Sequence, residues 1–207
     1  MNREEKIEDD RFYHVYNRGN DKERIFADAS DYEAFIRKMK SLAVKYSVLV
    51  PAYALMPNHY HILALQKQGG CLSDMMGALA TSAAKRYNLK YGHIGHLFQG
   101  PFRYKSVPED AVQDVACYIH LNPVRAGLVR EPEEWKFSNF VEYLGKRLPS
   151  TKVIPNRRKP LTSGRKPFAD LGEDYIEFVQ QVLKDERAEK DYWKRVLPYV
   201  EGFLLSD

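Results

Sequence analysis

Four segments of the chain combine aromatic and β-branched residues with the alternation of apolar and polar positions that is typical of strands. The predicted strands are residues 11–18 (RFYHVYNR), 47–55, 59–65 (HYHILAL) and 103–107. Turn signals separate them, with Gly19-Asn20 after the first strand and Pro57-Asn58 before the third. The first half of the chain therefore contains enough strands for a small sheet.

Three stretches carry apolar residues at helical spacing, and the predicted helices start at about residues 30, 73 and 108. Ser30 and Glu33 form a capping box at the first helix. The third helix is predicted to end near Asn122, because Pro123 disfavours helical geometry in the residue before it. Strands and helices in this order predict an α+β fold, in which a mainly antiparallel sheet carries packed helices.

The composition changes after Leu144. Residues 145–169 contain Lys and Arg but no Asp or Glu, and four prolines interrupt regular structure there. Two helix-like pieces follow, at about residues 173–189 and 191–200. We predict a domain over residues 1–145, a basic proline-rich linker over 146–170 and a C-terminal helical appendage over 171–207.

Composition and charge exclude some classes of protein. Hydrophobic residues make up 44% of the 207 residues, enough for a buried core. The net charge of +4 is too small to indicate nucleic-acid binding by itself. A charged N-terminus and the absence of any long apolar run argue against secretion and membrane insertion. These features predict a soluble, cytoplasmic protein.

His59 and His61 flank Tyr60 on the third predicted strand. Side chains alternate along a strand, so the two imidazoles point to the same face, a few ångströms apart. Two neutral imidazoles at that separation can share one divalent cation. The alternative is that one histidine caps the turn and the other fills a sheet surface.

Tyr118 and Asn122 lie four residues apart on the third predicted helix, so they stand one above the other on the same flank. The phenol is a candidate nucleophile, and the amide oxygen is a candidate third ligand for a metal. The alternative is that Tyr118 is an aromatic at the edge of the core and that Asn122 caps the helix before Pro123.

These four residues together match the needs of phosphodiester cleavage by a protein hydroxyl. Such cleavage needs a nucleophile that retains the broken end, a cation that withdraws charge from the phosphate, and positioning. A tyrosine with its ordinary pKa of about 10 is a poor nucleophile at neutral pH without such help. Ligation by His59, His61 and Asn122 leaves positions open for phosphate oxygens and water, and it does not select one metal. Mg²⁺ usually prefers all-oxygen sites whereas imidazole suits transition metals, so we expect Mg²⁺ or Mn²⁺, with Zn²⁺ as an alternative.

Four blocks of sequence also carry a family resemblance. They are Tyr13–Asn20 (YHVYNRGN), Leu55–Leu63 (LMPNHYHIL), Tyr118–Val129 (YIHLNPVRAGLV) and the looser Trp135–Phe140 (WKFSNF). With these blocks the chain resembles the HUH-type single-tyrosine transposases. Within them it looks most like the branch associated with repetitive extragenic palindromes, the REP-associated tyrosine transposases. The blocks span about residues 12–145.

The resemblance implies a ferredoxin-like core, with His59, His61 and Asn122 as the metal ligands. It implies that Tyr118 forms a covalent 5′-phosphotyrosine link and leaves a free 3′-hydroxyl, so that joining reverses the step. The implied substrate is single-stranded DNA beside an imperfect hairpin, which is a palindromic repeat. Some relatives are dimers and others are monomers, and we expect a monomer here.

Basic and polar residues are the candidate DNA contacts, since single-stranded DNA binding combines cations with stacking aromatics. They are Asn17, Arg18, Arg103, Lys105 and, in the basic linker, Arg157, Arg158 and Lys159. Each could instead be an ordinary solvated or packing side chain. His14 is assigned a structural role, and the sequence indicates no partner for His120.

Two other functions compete with a transposase. One is a domesticated protein that binds DNA hairpins without catalysis, although His59, His61, Tyr118 and Asn122 are all present. The other is a nickase for replication initiation or plasmid mobilisation. The resemblance around the NPVRAG block favours the transposase branch, and the sequence has no phosphate-binding loop of the helicase type.

Overall fold

The computed structural model describes residues 6–144, 172–184 and 192–200. The predicted basic linker, which includes Arg157, Arg158 and Lys159, lies outside these residues, as does the predicted helical stretch 185–189. The division into domain, linker and appendage therefore stays a prediction. Within the described ranges, no helix is both long and apolar enough to cross a membrane.

Four strands form one antiparallel sheet. They are β1 (Arg11–Arg18), β2 (Val48–Met56), β3 (His59–Gln66) and β4 (Arg103–Val107), in the spatial order β2-β3-β1-β4. The two central strands, β3 and β1, pair with each other and with one edge strand each. This order, with helices packed on the sheet, confirms the predicted α+β class with its ferredoxin-like antiparallel sheet.

Helices α1 (Ala29–Lys45) and α2 (Leu72–Tyr91) cover one face of the sheet. The predicted capping box of Ser30 and Glu33 is wrong, because the N-cap residue of α1 is Asp28. The Asp28 carboxylate accepts from Ser30 N at 2.9 Å, and the Asp31 carboxylate accepts from Asp28 N at 3.2 Å. The same capping pattern occurs two residues earlier, with a carboxylate in place of the serine hydroxyl.

Helix α3 (Val112–Arg125) continues past its predicted end at Asn122. Pro123 lies in the last turn, where its missing N–H removes a single hydrogen bond and the turn survives. Ala126 N still donates to Asn122 O at 2.9 Å. The chain leaves the helix at Gly127, whose φ of 66° lies in the left-handed region that glycine tolerates. Asn122 is thus held in helical geometry one turn after Tyr118, and it is not a cap.

The opposite face of the sheet is covered by α3 and by the C-terminal helices α5 (Gly172–Lys184) and α6 (residues 192–200), with the short α4 (Phe140–Tyr143) beside them. One buried apolar cluster joins them. Its members include Val115 and Ile119 from α3, Tyr175, Val179 and Val182 from α5, and Tyr192, Val196 and Val200 from α6. The C-terminal helices therefore share a core with the helix that carries Tyr118.

Candidate active site

Strand alternation separates the histidine pair from its neighbours, as predicted. Tyr60 and Ile62 lie in the apolar cluster beneath α1 and α2. His59 and His61 point to the other face, towards α3, and their ring centroids are 5.1 Å apart with the planes nearly perpendicular. The spacing of the two imidazoles on β3 thus suits a shared ligand on the α3 side of the sheet.

Both imidazoles are neutral. Burial lowers the pKa of His59 to about 4, with a further lowering by Arg18, and burial lowers the pKa of His61 well below its ordinary value. His59 Nδ1 lies 2.7 Å from Asn58 Oδ1, so Nδ1 donates and the lone pair is on Nε2. Neutral imidazole is the form that binds metal ions.

Tyr118 lies against this pair. Its ring centroid is 5.5 Å from that of His61, with an edge-to-face arrangement, and its side chain is 1% exposed. Three polar atoms are buried at this part of the structure, namely His61 Nε2, Tyr118 Oη and Asn122 Nδ2. The structure therefore brings the predicted nucleophile next to His61, one of the predicted ligands, within one chain.

These residues fit a divalent cation, judged by their donor atoms. Among the residues that the structure describes, Asn122 Nδ2 has no hydrogen-bond partner, and a half-turn of the amide would place Oδ1 at the same buried position. No group of three His, Cys, Asp or Glu side chains is arranged to hold a metal in the described parts of the chain. Two imidazoles with an amide oxygen, completed by substrate or water, remain a suitable donor set.

A groove of about 240 Å³ adjoins the histidine pair. Strand register explains its position, because Tyr16 pairs with His61, Arg18 pairs with His59, and Arg103 of β4 pairs with Tyr16. The groove is lined by Tyr16, Asn17, Arg18, Gln99, Gly100, Pro101 and Arg103. It places two cations, Arg18 and Arg103, beside a Tyr16 ring that is itself only 5% exposed.

The predicted DNA contacts differ in their surroundings. Asn17 is 6% exposed; its Nδ2 donates to Gly100 O at 3.0 Å, and its Oδ1 accepts from Arg18 N at 2.9 Å. It therefore holds the wall of the groove, and its contact with DNA stays a prediction. Arg103 is exposed, whereas Lys105 Nζ donates to Pro198 O of α6 at 3.0 Å.

Helix α6 lies over this face of the sheet. Trp193 packs edge-to-face on Tyr118, with 6.1 Å between ring centroids. The Arg195 guanidinium donates to both carboxylate oxygens of Asp114 on α3, at 3.0 and 3.1 Å. The last turn of α6 reaches β1, where Tyr199 O lies 3.0 Å from His14 Nδ1. The segment predicted as an appendage thus contributes contacts to the candidate site.

Two buried histidines gain partners that the sequence did not indicate. His14 Nε2 lies 2.9 Å from His61 Nδ1, so the residue predicted to be structural touches a predicted ligand. His120 Nε2 lies 3.0 Å from Asn139 Oδ1, and its Nδ1 lies 2.6 Å from Tyr175 Oη. Burial lowers the pKa of each of these two histidines to about 4. Only the strand register and long-range packing reveal these contacts.

Comparison with known proteins identifies a family whose model matches this chain. The family model described as IS200-like transposase matches residues 9–122, more than half of the chain. The matched span runs from just before β1 to Asn122, so it contains both histidines of the pair and Tyr118. No curated protein matches the chain.

Among solved structures, the chain is similar to a REP-associated tyrosine transposase bound to a REP hairpin. The identity is 18%, the match covers 70% of this chain and 86% of that one, and the TM-score is 0.58. A Deinococcus radiodurans structure assigned provisionally as a transposase has 18% identity, coverage of 57% and 95%, and a TM-score of 0.41. A bacterial tRNA(His) guanylyltransferase-like protein has 15% identity, coverage of 62% and 73%, and a TM-score of 0.39.

Proposed function

This chain belongs to the IS200-like transposase family, and we propose that it is a metal-dependent enzyme that nicks single-stranded DNA and transfers the cut strand through Tyr118. The carrying observation is the contact of the Tyr118 ring with His61, at 5.5 Å between centroids, on a sheet face that also carries His59. A phenol and two imidazoles lie there, and Asn122 follows Tyr118 by one helical turn. Tyr16 is a second tyrosine beside His61, with 6.3 Å between ring centroids, and it is therefore the competing nucleophile to exclude.

His59 Nε2, His61 Nε2 and Asn122 Oδ1 would hold the divalent cation, with Mg²⁺ or Mn²⁺ as the proposed ions. When bound, the cation withdraws charge from the scissile phosphate and stabilises the leaving 3′-oxygen. Tyr118 Oη loses its proton and attacks phosphorus, so an Oη–P bond forms, the P–O3′ bond breaks and the leaving 3′-oxygen takes up a proton. The downstream strand stays on the protein as a 5′-phosphotyrosine ester, and the upstream strand ends in a free 3′-hydroxyl.

Joining is the same exchange in reverse. A 3′-hydroxyl attacks the phosphotyrosine, the P–O3′ bond forms, and Tyr118 Oη leaves. One phosphate ester replaces another in each direction, so no external energy source is needed.

The proposed substrate is single-stranded DNA beside a hairpin. The groove next to the histidine pair supports this, since Arg18 and Arg103 line it and can bind phosphates. The similar solved structure binds a REP hairpin, and we propose the same class of partner for this chain. Because Tyr118 and His61 meet within one chain, we also propose that the tyrosine acts in cis in a monomer.

A hairpin-binding protein without catalysis is the alternative, and one observation favours it. Tyr118 is 1% exposed and Trp193 packs on its ring, so a phosphate reaches Oη only if α6 moves. A wild-type protein that binds hairpins but never forms an adduct with Mg²⁺ or Mn²⁺ present would establish that alternative.

The test is adduct formation with end-labelled single-stranded hairpins taken from the protein's genomic neighbourhood. Tyr118→Phe removes one oxygen and little packing, so it should abolish the covalent adduct on a denaturing gel while hairpin binding persists. Tyr16→Phe is the matched control, since it keeps the ring in the groove and should keep the adduct. Peptide mapping that finds DNA on another tyrosine, or a fully active Tyr118→Phe protein, would overturn the proposal.

A further inference from the structure

We infer that His14 is a positioning residue that fixes the tautomer of His61, and that the main-chain carbonyl of Tyr199 in α6 fixes the tautomer of His14. The inference rests on the metal-ligand role proposed for His61. Helix α6 would thus help to set the tautomers of a site whose side chains all lie before residue 123.

A chain of two contacts joins Tyr199 to His14 and His14 to His61. His14 and His61 are both 0% exposed, and their ring planes are nearly parallel, with an angle of 17° between them and 5.1 Å between centroids. One nitrogen of His14, Nδ1, lies 3.0 Å from Tyr199 O, and the other, Nε2, lies 2.9 Å from His61 Nδ1. Each distance is that of a hydrogen bond.

The donor and acceptor of both hydrogen bonds follow from the Tyr199 carbonyl oxygen at the end of the chain of contacts. A carbonyl oxygen can only accept, so His14 Nδ1 carries a hydrogen and donates it to Tyr199 O. A second hydrogen on His14 would make a cation of a ring that is 0% exposed, and burying such a charge costs free energy. His14 Nε2 therefore carries a lone pair and accepts from His61 Nδ1.

The lone pair of His61 is then on Nε2, an atom that is buried in the structure. The opposite tautomer would leave two lone pairs facing each other, on His61 Nδ1 and His14 Nε2, across 2.9 Å. A metal ligand must present a lone pair, and a partner on the second ring nitrogen commonly sets which nitrogen presents it. In this site that partner is His14, whose own tautomer is set by the Tyr199 carbonyl of the C-terminal helix.

His59 provides an internal reference. Its Nδ1 is held by Asn58 Oδ1 at 2.7 Å, within the turn that precedes β3. Its tautomer therefore does not depend on His14 or on α6. A change at His14 should alter His61 alone, whereas general loosening of the site should alter both histidines.

The test uses full-length, metal-free protein labelled with ¹⁵N at histidine, in which two-bond ¹⁵N–¹H correlations identify the tautomer of each ring. In the wild type, His14, His59 and His61 should all carry hydrogen on Nδ1. His14→Phe keeps a planar ring but removes the acceptor, so His61 should change towards the Nε2–H form while His59 stays unchanged. His14→Gln restores an acceptor oxygen and should keep the wild-type tautomer of His61.

Mn²⁺ affinity, measured by calorimetry without DNA, gives a second readout. His14→Phe should weaken binding by about 10–100-fold, the usual effect of losing the partner of a ligating histidine, and His14→Gln should bind close to the wild type. A wild-type His61 with hydrogen on Nε2 would overturn the inference, and so would a His14→Phe protein with unchanged tautomer and affinity. If His14→Phe fails to fold, the wild-type and His14→Gln spectra still decide. None of these readouts uses DNA cleavage, so the absence of an adduct would overturn the proposed function separately.

Discussion

The two faces of the sheet use the same strands for different purposes. Beneath α1 and α2, the centre of the face is apolar, with Tyr13 and Val15 of β1 beside Tyr60 and Ile62 of β3. The buried polar residues of its strands are Asn17 and Gln66, which lie at strand ends, and α1 adds Asp31. Beneath α3 and α6 the same strands bury polar groups within the apolar cluster. Those of the strands are His14 and His61, and α3 adds Asp114 and His120.

The difference shows how a small sheet separates stability from chemistry. Burying a polar group costs free energy unless it is hydrogen-bonded. On the second face, His14 bonds to Tyr199 O, His120 bonds to Tyr175 and Asn139, and Asp114 bonds to Arg195. These bonds offset the cost of burial and also orient side chains. The first face mainly stabilises the fold. The hydrogen bonds of the second face fix the protonation state and the orientation of its buried polar side chains.

The largest expected effect comes from removing a proposed ligand on the second face. His59→Ala should lower cleavage by at least about a thousandfold, because the cation contributes several kcal/mol of barrier lowering and each tenfold corresponds to about 1.4 kcal/mol. His59 lies at the strand end and is only partly buried, so the free energy of unfolding should change little. Cleavage assays with Mn²⁺ and urea melts measure the two effects. Full activity of the variant in the presence of EDTA would contradict the metal site.

A substitution on the other face of the same strand should lower the stability of the protein and leave its cleavage activity unchanged. Ile62→Ala removes a fully buried side chain from the apolar cluster and should lower the free energy of unfolding by about 2–5 kcal/mol. Ile62→Val, the milder control, should cost about 0.5–1.5 kcal/mol. Cleavage per folded molecule, corrected by the denaturation curve, should stay at the wild-type level. A loss of specific activity without loss of stability would mean that the two faces are not separate.

Local patterns explain most of what the sequence predicted. Strands β1 and β4 have their predicted bounds, and the predicted apolar stripe of α3 is buried. Alternation and helical periodicity act between neighbours, so they can be read without knowing the fold. The juxtaposition of His59, His61, Tyr118 and Asn122 came from the resemblance, because nothing local brings residue 118 to residue 61.

Long-range contacts account for what the sequence missed. His14 touches His61 only because of the β1–β3 register, and it touches Tyr199 across 185 residues of chain. The partners of His120 lie 19 and 55 residues away. The end of α3 was misplaced for another reason: a proline in the last turn loses one hydrogen bond, and that cost was too small to stop the helix.

A medium effect is expected where the polar network joins the C-terminal helices to α3. Tyr175→Phe removes the hydroxyl that donates to His120 Nδ1 at 2.6 Å and leaves a buried acceptor without its donor. The free energy of unfolding should fall by about 1–3 kcal/mol. Val179→Ala on the same helix removes apolar packing without touching the network and serves as a control. An unchanged unfolding curve for Tyr175→Phe would mean that this bond contributes nothing to holding α5 on α3.

The smallest effect should come from the cations at the sheet edge. Arg103 lies in the groove, whereas Lys105 on the same face of β4 is bonded to Pro198 O of α6. Removing one cation that binds a phosphate should reduce the slope of log affinity against log salt by about 0.7 for single-stranded DNA. Arg103→Ala should produce that change and weaken hairpin binding a few-fold, and Arg37→Ala, on the far side of the sheet, should not.

Lys105→Ala should leave the slope unchanged if α6 stays in place during binding. An equal change for Arg103→Ala and Lys105→Ala would mean that α6 leaves the sheet when DNA binds, which would also explain how a phosphate reaches the buried Tyr118.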